Sequence, residues 1–310
     1  MENLSSNTNL TLLNLFIGMC RGERVLPDVL RRLQYKEHSI ECKFQNSENE
    51  TVQPELILAS ELKAHSLLFE WKAGANMDDD QLRRYSKITT EDLKQRALIG
   101  GQAPNKFDVT IIGLDDNMER LLIGIRNGQY RFPVLAASAD TLLLKENSFA
   151  CLELNQVFQV GLNIDWKLIP MNYVPFDKES DLCIIAEKVM QSVVEKMHRR
   201  EPRIGVEDVA SDSVKTWRIL DDSCRQTIRG KIKTILSKAS RYEFRGYLKY
   251  NREMSRKGTA TWDVVNNPIE LDSDKRNKGF KKINSITERF LDALKTGKHS
   301  NGQDPLPFPD

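Results

Sequence analysis

Residues 54–72 read PELILASELKAHSLLFEWK. Two apolar runs, 56–59 and 66–71, flank a short polar link, 60–64. Runs of this length between polar residues predict two strands. A link of five residues returns the chain antiparallel to itself. Just upstream, 39–44 alternates Ile40, Cys42 and Phe44 with polar side chains, the period of a half-buried strand. Three strands in a row predict an antiparallel meander.

Outward from this core, residues 10–24 have helical apolar spacing, and Pro27 opens a second helical stretch running to about Leu33. The stretch 46–50 is a turn, and the Asn/Ser-rich residues 1–9 are expected to fray. Downstream, 78–80 supply acidic capping chemistry for a helix through about Lys87, followed by a helix over 91–98 and a loop over 100–105. A short strand at 108–112, a helix at 118–126 and a strand at 132–136 continue the pattern. This order predicts an α/β unit over residues 1–170, three layers around one mixed sheet flanked by helices.

The stretch 170–181 carries two prolines and little periodicity, and marks a domain boundary. Beyond it, 182–197 is an amphipathic helix with Ile185, Val189, Val193 and Met197 on one stripe. Short helical segments at 206–210 and 214–220 precede a longer helix at 223–237. There Ile228, Ile232 and Ile235 point inward, and Arg225, Arg229, Lys231 and Lys233 outward. Strands at 243–250 and 259–265 flank a basic polar tip, 251–258. Helices followed by a basic-tipped hairpin predict a smaller α+β, winged-helix-like domain over 178–266. A tail over 267–310 carries one more helix, at 281–294, and is expected to be disordered after Lys295.

Composition narrows the function classes. The 310 residues are 40% hydrophobic and 29% charged, with a mean hydropathy of −0.49. That is a soluble globular composition with enough chain for sizeable cores, and it excludes wholesale disorder. No run is apolar enough to span a membrane. The apolar run 10–20 lacks a preceding basic residue and a cleavage site, so no signal peptide is read and cytoplasmic residence is expected. Five scattered cysteines with no Cys-x-x-Cys spacing argue against a disulfide framework, a zinc knuckle and an iron–sulfur cluster. Four scattered histidines argue against a histidine-built metal site. Charge is uneven. Between Arg225 and Lys257 eleven basic residues face only Glu243 and Glu253, a net +9 in a chain whose total is +2. Such a block predicts a confined polyanion-binding surface.

The chemistry concentrates in Pro54-Glu55, Glu70-Trp71-Lys72 and Gln81-Leu82-Arg83-Arg84-Tyr85. Strand alternation puts Glu70 and Lys72 on one face, and the returning chain brings Glu55 beside Glu70. Two close carboxylates are costly unless a cation joins them, and hard oxygen donors suit Mg2+ or Mn2+. The metal ligands would be Glu55, Glu70 and the carbonyl of Trp71. Lys72 would orient or deprotonate a water, or steady charge developing on a phosphate. Gln81 and Tyr85, four apart on a helix, would reach the same site or the nucleic-acid backbone.

Pro54-Glu55…Glu70-x-Lys72 resembles the signature of the PD-(D/E)XK nuclease superfamily, with Glu in place of the more usual Asp after Pro. Gln81-x-x-x-Tyr85 is similar to the added motif of the RecB-type branch, and Phe69 and Ala73-Gly74 fit the flanks. The resemblance covers roughly residues 10–140. The iron–sulfur cysteines of some RecB-type nucleases have no counterpart here. The resemblance implies a restriction-endonuclease-like core, DNA phosphodiester hydrolysis with Mg2+ or Mn2+, and roles for Glu55, Glu70, Lys72, Gln81 and Tyr85. The family often adds an acid on its first helix; Glu23 is the candidate, with Asp28 competing, and a surface ion pair is the expected role for Glu23. Glu61 is expected to face solvent and His65 to pack or cap.

In the second domain the 223–237 helix would enter a DNA major groove with Arg225, Arg229 and Lys233 facing out. Arg252, Arg256 and Lys257 at the tip would meet flanking phosphates. Tyr242, Tyr247 and Tyr250 are expected in the core, with base stacking as the alternative role. The sequence is compatible with two functions. One is a metal-dependent DNA nuclease of restriction, mobile-element or anti-phage defence. The other is a non-catalytic DNA-binding or adaptor protein retaining a nuclease-like fold. A homo-oligomer or a partner protein of a defence system is left open.

Overall fold

The structure, a computed structural model, describes residues 8–72, 79–257, 259–269 and 273–297. The chain divides into two compact units, Met1–Val174 with Arg218–Asp222, and Pro175–Trp217 with Ser223–Asp310. The division falls inside the 170–181 stretch. The strip 218–222 belongs to the first unit because Leu220 bridges to Ile40 and the Asp221 amide donates to the Ile40 carbonyl at 3.1 Å.

In chain order the first unit contains α1 (Thr8–Arg21), α2 (Val29–Arg32), β1 (Lys36–Ile40), β2 (Phe44–Gln45), β3 (Thr51–Val52), β4 (Leu56–Ser60) and β5 (His65–Lys72). Then come α3 (Asp79–Ser86), α4 (Thr90–Gln95), β6 (Lys106–Leu114), α5 (Met118–Asn127), β7 (Val134–Ala137), β8 (Thr141–Glu146), α6 (Leu152–Val160) and β9 (Leu162–Asn163). Seven strands form one mixed sheet in the order β1-β4-β5-β6-β7-β8-β9. β1, β4 and β5 make the antiparallel meander, with Leu56 opposite Phe69. β5, β6 and β7 are parallel, because α3, α4 and then α5 cross over between them.

β5 is the spine of this sheet, and seven of its eight residues are buried. Its alternation feeds two cores. On one face Leu68 joins Ile57, Leu82, Tyr85, Leu93, Ile111, Leu121 and Ile125, which brings α3, α4 and α5 onto the sheet. On the other face Phe69 meets Phe16 of α1 at 4.3 Å between ring centroids and stacks on Trp71 at 6.3 Å. Helices therefore cover both faces. Gly113 of β6 admits α5 closely, since a Cβ there would lie 2.7 Å from a Leu121 methyl.

Several boundaries differ from the sequence expectation for physical reasons. The alternation over 39–44 does not make one strand. Glu41 adopts φ +54°, which ends β1, and Phe44 starts the separate β2–β3 hairpin. The second helix stops at Gln95 rather than 98, and Leu98 takes φ +57° and is exposed. Its start is fixed by a capping box between Thr89 and Asp92. The strands β8 and β9 and the helix α6 lie where no element was expected. Of the capping residues 78–80, Asp78 lies outside the described residues, as do Ala73 and Gly74.

The second unit contains α7 (Leu182–His198), β10 (Arg203–Gly205), α8 (Val206–Ser213), α9 (Asp222–Arg241), β11 (Leu248–Tyr250), α10 (Arg252–Lys257), β12 (Thr261–Val264) and α11 (Ser273–Thr296). Its three strands pair antiparallel in the order β10-β12-β11. The expected strand over 243–250 shrinks to three residues, because 242–247 turn back on α9 through the Phe244 amide and the Ala239 carbonyl. The expected polar tip carries the short helix α10. The stretch 214–220 holds only a 3-10 turn, Trp217–Ile219.

Of the 267–310 tail, the described helix α11 packs into the second unit, and residues 298–310, where disorder was expected, lie outside the described residues. α11 packs along α7 and delivers the fully buried Ile283 and Phe290 to the unit's core. Gly279 sets the approach, since a Cβ there would fall 2.2 Å from the Pro268 carbonyl oxygen. Gly279→Ala should therefore force α11 away from backbone that cannot yield, costing about 1–3 kcal/mol. Gly230→Ala, on an exposed turn of α9 with nothing near its Cβ, should instead gain up to about 1 kcal/mol. Chemical denaturation of both variants checks the pair; equal stabilities would contradict the docking of α11.

Candidate functional site

The site begins with strand alternation. Leu68, Glu70 and Lys72 share the face of β5 that receives α3, so Glu70 is carried into an apolar core and is only 4% exposed. A buried carboxylate is costly unless charge and hydrogen bonds compensate it. Three side chains do so. Lys72 Nζ donates to Glu70 Oε1 at 2.9 Å and also to Gln81 Oε1. Gln81 Nε2 donates to the same Glu70 oxygen at 2.8 Å. Tyr85 donates its hydroxyl to Glu70 Oε2 at 2.7 Å. Gln81 and Tyr85 share one face of α3 because they are one helical turn apart. Burial, first, and then the neighbouring Glu70 charge push the Tyr85 phenol well above its ordinary pKa, with Glu55 adding to the rise. Tyr85 is thereby kept protonated as a donor.

Glu55 occupies a bend just before β4, after the buried Pro54. Its amide donates to the Phe69 carbonyl at 2.9 Å, which sets its peptide beside the Phe69–Glu70 peptide. Its carbonyl accepts from the Glu41 amide at 3.0 Å. The side chain is half-buried, and its charge acts on the same Tyr85 phenol as that of Glu70. Alternation turns the Trp71 carbonyl to the same edge of β5 as the Phe69 carbonyl, beyond the start of β4. The sequence-selected Glu55, Glu70, Trp71, Lys72, Gln81 and Tyr85 thus come from three neighbouring elements to one end of β5. No cluster of three or more His, Cys, Asp or Glu side chains that could hold a metal exists among the described residues. A cation here would rest on Glu55, Glu70 and the backbone carbonyl.

The other candidates go elsewhere. Glu23 accepts from the Tyr173 hydroxyl, which ties the end of α1 to the end of the unit rather than to Glu70. Asp28 pairs with Arg32 on the surface. Glu61 is exposed and accepts from the Gln102 amide at 2.8 Å. His65 is 1% exposed and sits between the Tyr35 hydroxyl at 2.7 Å and Asp108 at 2.9 Å, a packing role at the opposite end of β5. Glu41, 9% exposed and adjacent to Glu55, carries no sequence signal of its position, because only the fold brings 41 to 55.

The basic block of the second unit is less uniform than its charge suggests. Arg229 forks onto Glu207 at 2.7 and 3.1 Å and lies over Trp217 at 5.3 Å. Glu207 is held below its usual pKa first by that hydrogen bond, with the charge of Arg225 adding. Arg225 is itself half-buried. Lys231 donates to the Ser180 carbonyl at 2.7 Å. Arg225 and Arg229 therefore support the unit's own structure instead of projecting as an outward stripe, because α8 presents an acid to that face of α9. Lys233, Arg252 and Arg256 are exposed, and the Lys257 side chain lies outside the described residues. Of the tyrosines, Tyr247 packs edge-on against Phe244, whereas Tyr250 is 42% exposed.

A family model described as the MJECL32 domain matches residues 8–174, the span that holds the Glu70 network. No curated protein and no solved structure matches the chain.

The network predicts a measurable coupling. Tyr85→Phe removes a donor from a buried carboxylate and should lower stability by about 1–3 kcal/mol. In a Glu70→Gln background the loss should shrink, with a coupling of about 0.5–3 kcal/mol by double-mutant cycle. Strict additivity would contradict the hydrogen bond.

Proposed function

The chain belongs to the MJECL32 domain family, and from the Glu70 network within the matched span we propose that it is a metal-dependent nuclease of the PD-(D/E)XK type that hydrolyses DNA phosphodiester bonds. The observation that carries this reading is the Glu70 carboxylate, sunk in an apolar core and held by Lys72, Gln81 and Tyr85 at once. Stability does not ask for this, since apolar residues of similar volume usually serve a core as well as a buried ion pair. Function does ask for it, because a carboxylate locked in one rotamer is a preformed oxygen ligand.

The donor set fits Mg2+ or Mn2+. Such ions accept one or two carboxylates and a carbonyl, and take water and phosphate oxygens for the rest. Glu55, Glu70 and the Trp71 carbonyl would hold the ion, which when bound supplies a more acidic water and neutralises phosphate charge. The chain's own residues do the remaining work. Gln81 and Tyr85 fix the orientation of Glu70. Lys72, about one-sixth exposed, is the cation available to steady charge on the attacked phosphate. Tyr85 donates a hydrogen bond and takes no proton.

Support for the finer fold reading comes from the antiparallel β4–β5 pair followed by the parallel β5–β6 pair, with Gln81 and Tyr85 on the crossover helix. In the second unit the order α7, β10, α8, α9, β11, α10, β12 supports a winged-helix-like, nucleic-acid-binding reading. Restriction, mobile-element or anti-phage defence in the cytoplasm is the proposed setting.

Purified protein incubated with linear, circular and single-stranded DNA in Mg2+, Mn2+ or EDTA tests the reading. Cleavage should need the metal. Glu55→Ala, Glu70→Ala and Lys72→Ala should each abolish it with the fold retained by circular dichroism. Gln81→Ala should lower turnover about 100-fold through misplacement. Wild-type cleavage by Lys72→Ala, or none under any metal, would sink the assignment.

A further inference from the structure

The second unit carries an open cleft of about 870 Å³ between the C-terminal half of α9, the turn after it, β11 and α10. Its walls carry Lys233 and Arg241 from α9, Arg245 from the turn, Lys249 from β11, and Arg252 and Arg256 from α10. All six are exposed, and no acidic residue lines the cleft among the described residues. Among the described residues Lys233, Arg245, Lys249, Arg252 and Arg256 make no ion pair, unlike Arg229, which Glu207 neutralises. Unpaired cations on facing walls of one concavity repel each other, and that repulsion is relieved when a polyanion enters. The lining also includes Tyr250. Its ring meets Trp262 edge-on at 5.3 Å between centroids, and the residue stays 42% exposed.

We propose that this cleft binds single-stranded nucleic acid, with the five unpaired cations on its phosphates and a base stacked on Tyr250. Shape decides between strand forms. A duplex offers a convex surface and is read by a protruding helix in its groove. The residues that would protrude, Arg225 and Arg229, are instead engaged within the unit. A concave basic cleft with an exposed aromatic is the arrangement that tracks one backbone and stacks its bases. The proposal deepens the nuclease reading, on which it rests for the fate of the bound strand. It names a single strand as the substrate form that the second unit retains.

The test is anisotropy titration of the full chain with a fluorescent 12-nucleotide single strand and with the same sequence as duplex, in EDTA. Cleavage is silent under these conditions, so binding and the nuclease reading can fail separately. The single strand should bind at least tenfold more tightly than the duplex. Replacing Arg245, Lys249 and Arg252 with Ala should weaken single-strand binding by at least tenfold. It should also flatten the log–log salt dependence by about 2 units, at roughly 0.7 per phosphate contact. Tyr250→Ala should weaken binding about tenfold with the salt slope unchanged, and Tyr250→Phe should restore it. Replacing Lys188, Lys278 and Lys281, which do not line the cleft, should leave affinity within twofold. Tighter duplex binding, or a cleft variant that binds like the wild type, would overturn the proposal. So would inorganic triphosphate at equal charge concentration competing as well as the oligonucleotide, since that would mark a simple phosphate sink.

Discussion

One buried charge organises the first unit. Glu70 lies on the central strand of a mixed sheet, on the face that the crossover helices cover, and its carboxylate cannot remain there without partners. Each partner comes with a structural demand. Lys72 requires that β5 stay regular for two further residues, so that its ammonium returns along the same face. Gln81 and Tyr85 require α3 to present one particular turn to the strand. Leu82, on the same helix, is fully buried in the core shared with Leu68, which fixes how α3 sits. Packing and polar satisfaction thus select the same placement of α3, the consistency across levels expected of a specified fold.

Much of this was legible because the decisive signals are local. The apolar runs around 60–64 gave two strands of the meander. Alternation put Glu70 and Lys72 on one face, and the spacing of 81 and 85 put their side chains on one helical face. What could not be read arises from non-local causes. Glu41 breaks an apparently good strand at 39–44 by adopting a left-handed backbone, and its amide is taken by Glu55 fourteen residues later. β9 and β10 are two and three residues long, too short for any periodicity to register. α6 carries a Leu and a Val at high exposure, which blurs its amphipathic stripe.

The basic block shows a different limit. Net charge along a sequence counts cations without regard to what the fold sets against them. The turn from α8 to α9 puts Glu207 under Arg229, and part of the +9 segment is thereby spent within the unit. The helical period gave correct inward positions for Ile228, Ile232 and Ile235, all fully buried. The same period could not say which outward positions meet another element. Past Lys231, α9 lines a cleft with β11 and α10 whose described lining holds no acidic residue. That is where the cations gather around a concavity.

The two ends of β5 make the functional contrast sharpest. At its start, His65 is enclosed by Tyr35 and Asp108, and the Asp108 oxygen that meets His65 also accepts the Ala150 amide at 2.8 Å. Burial drives the Tyr35 phenol far above its ordinary pKa, so it too remains a donor. These buried groups partner one another, as in a polar network that specifies a core. At the end of the strand the Glu70 network has the same chemistry of buried donors and acceptors, but it does not close. Lys72 keeps part of its side chain in solvent, and Glu55 stays half-buried beside a carbonyl edge that β4 no longer covers. A polar network that satisfies its deepest member and leaves its outer members facing water has room, under the proposed reading, for one more charged group. Both networks descend from one eight-residue strand, so burial alone does not separate structure from site; the side on which the network stays open does.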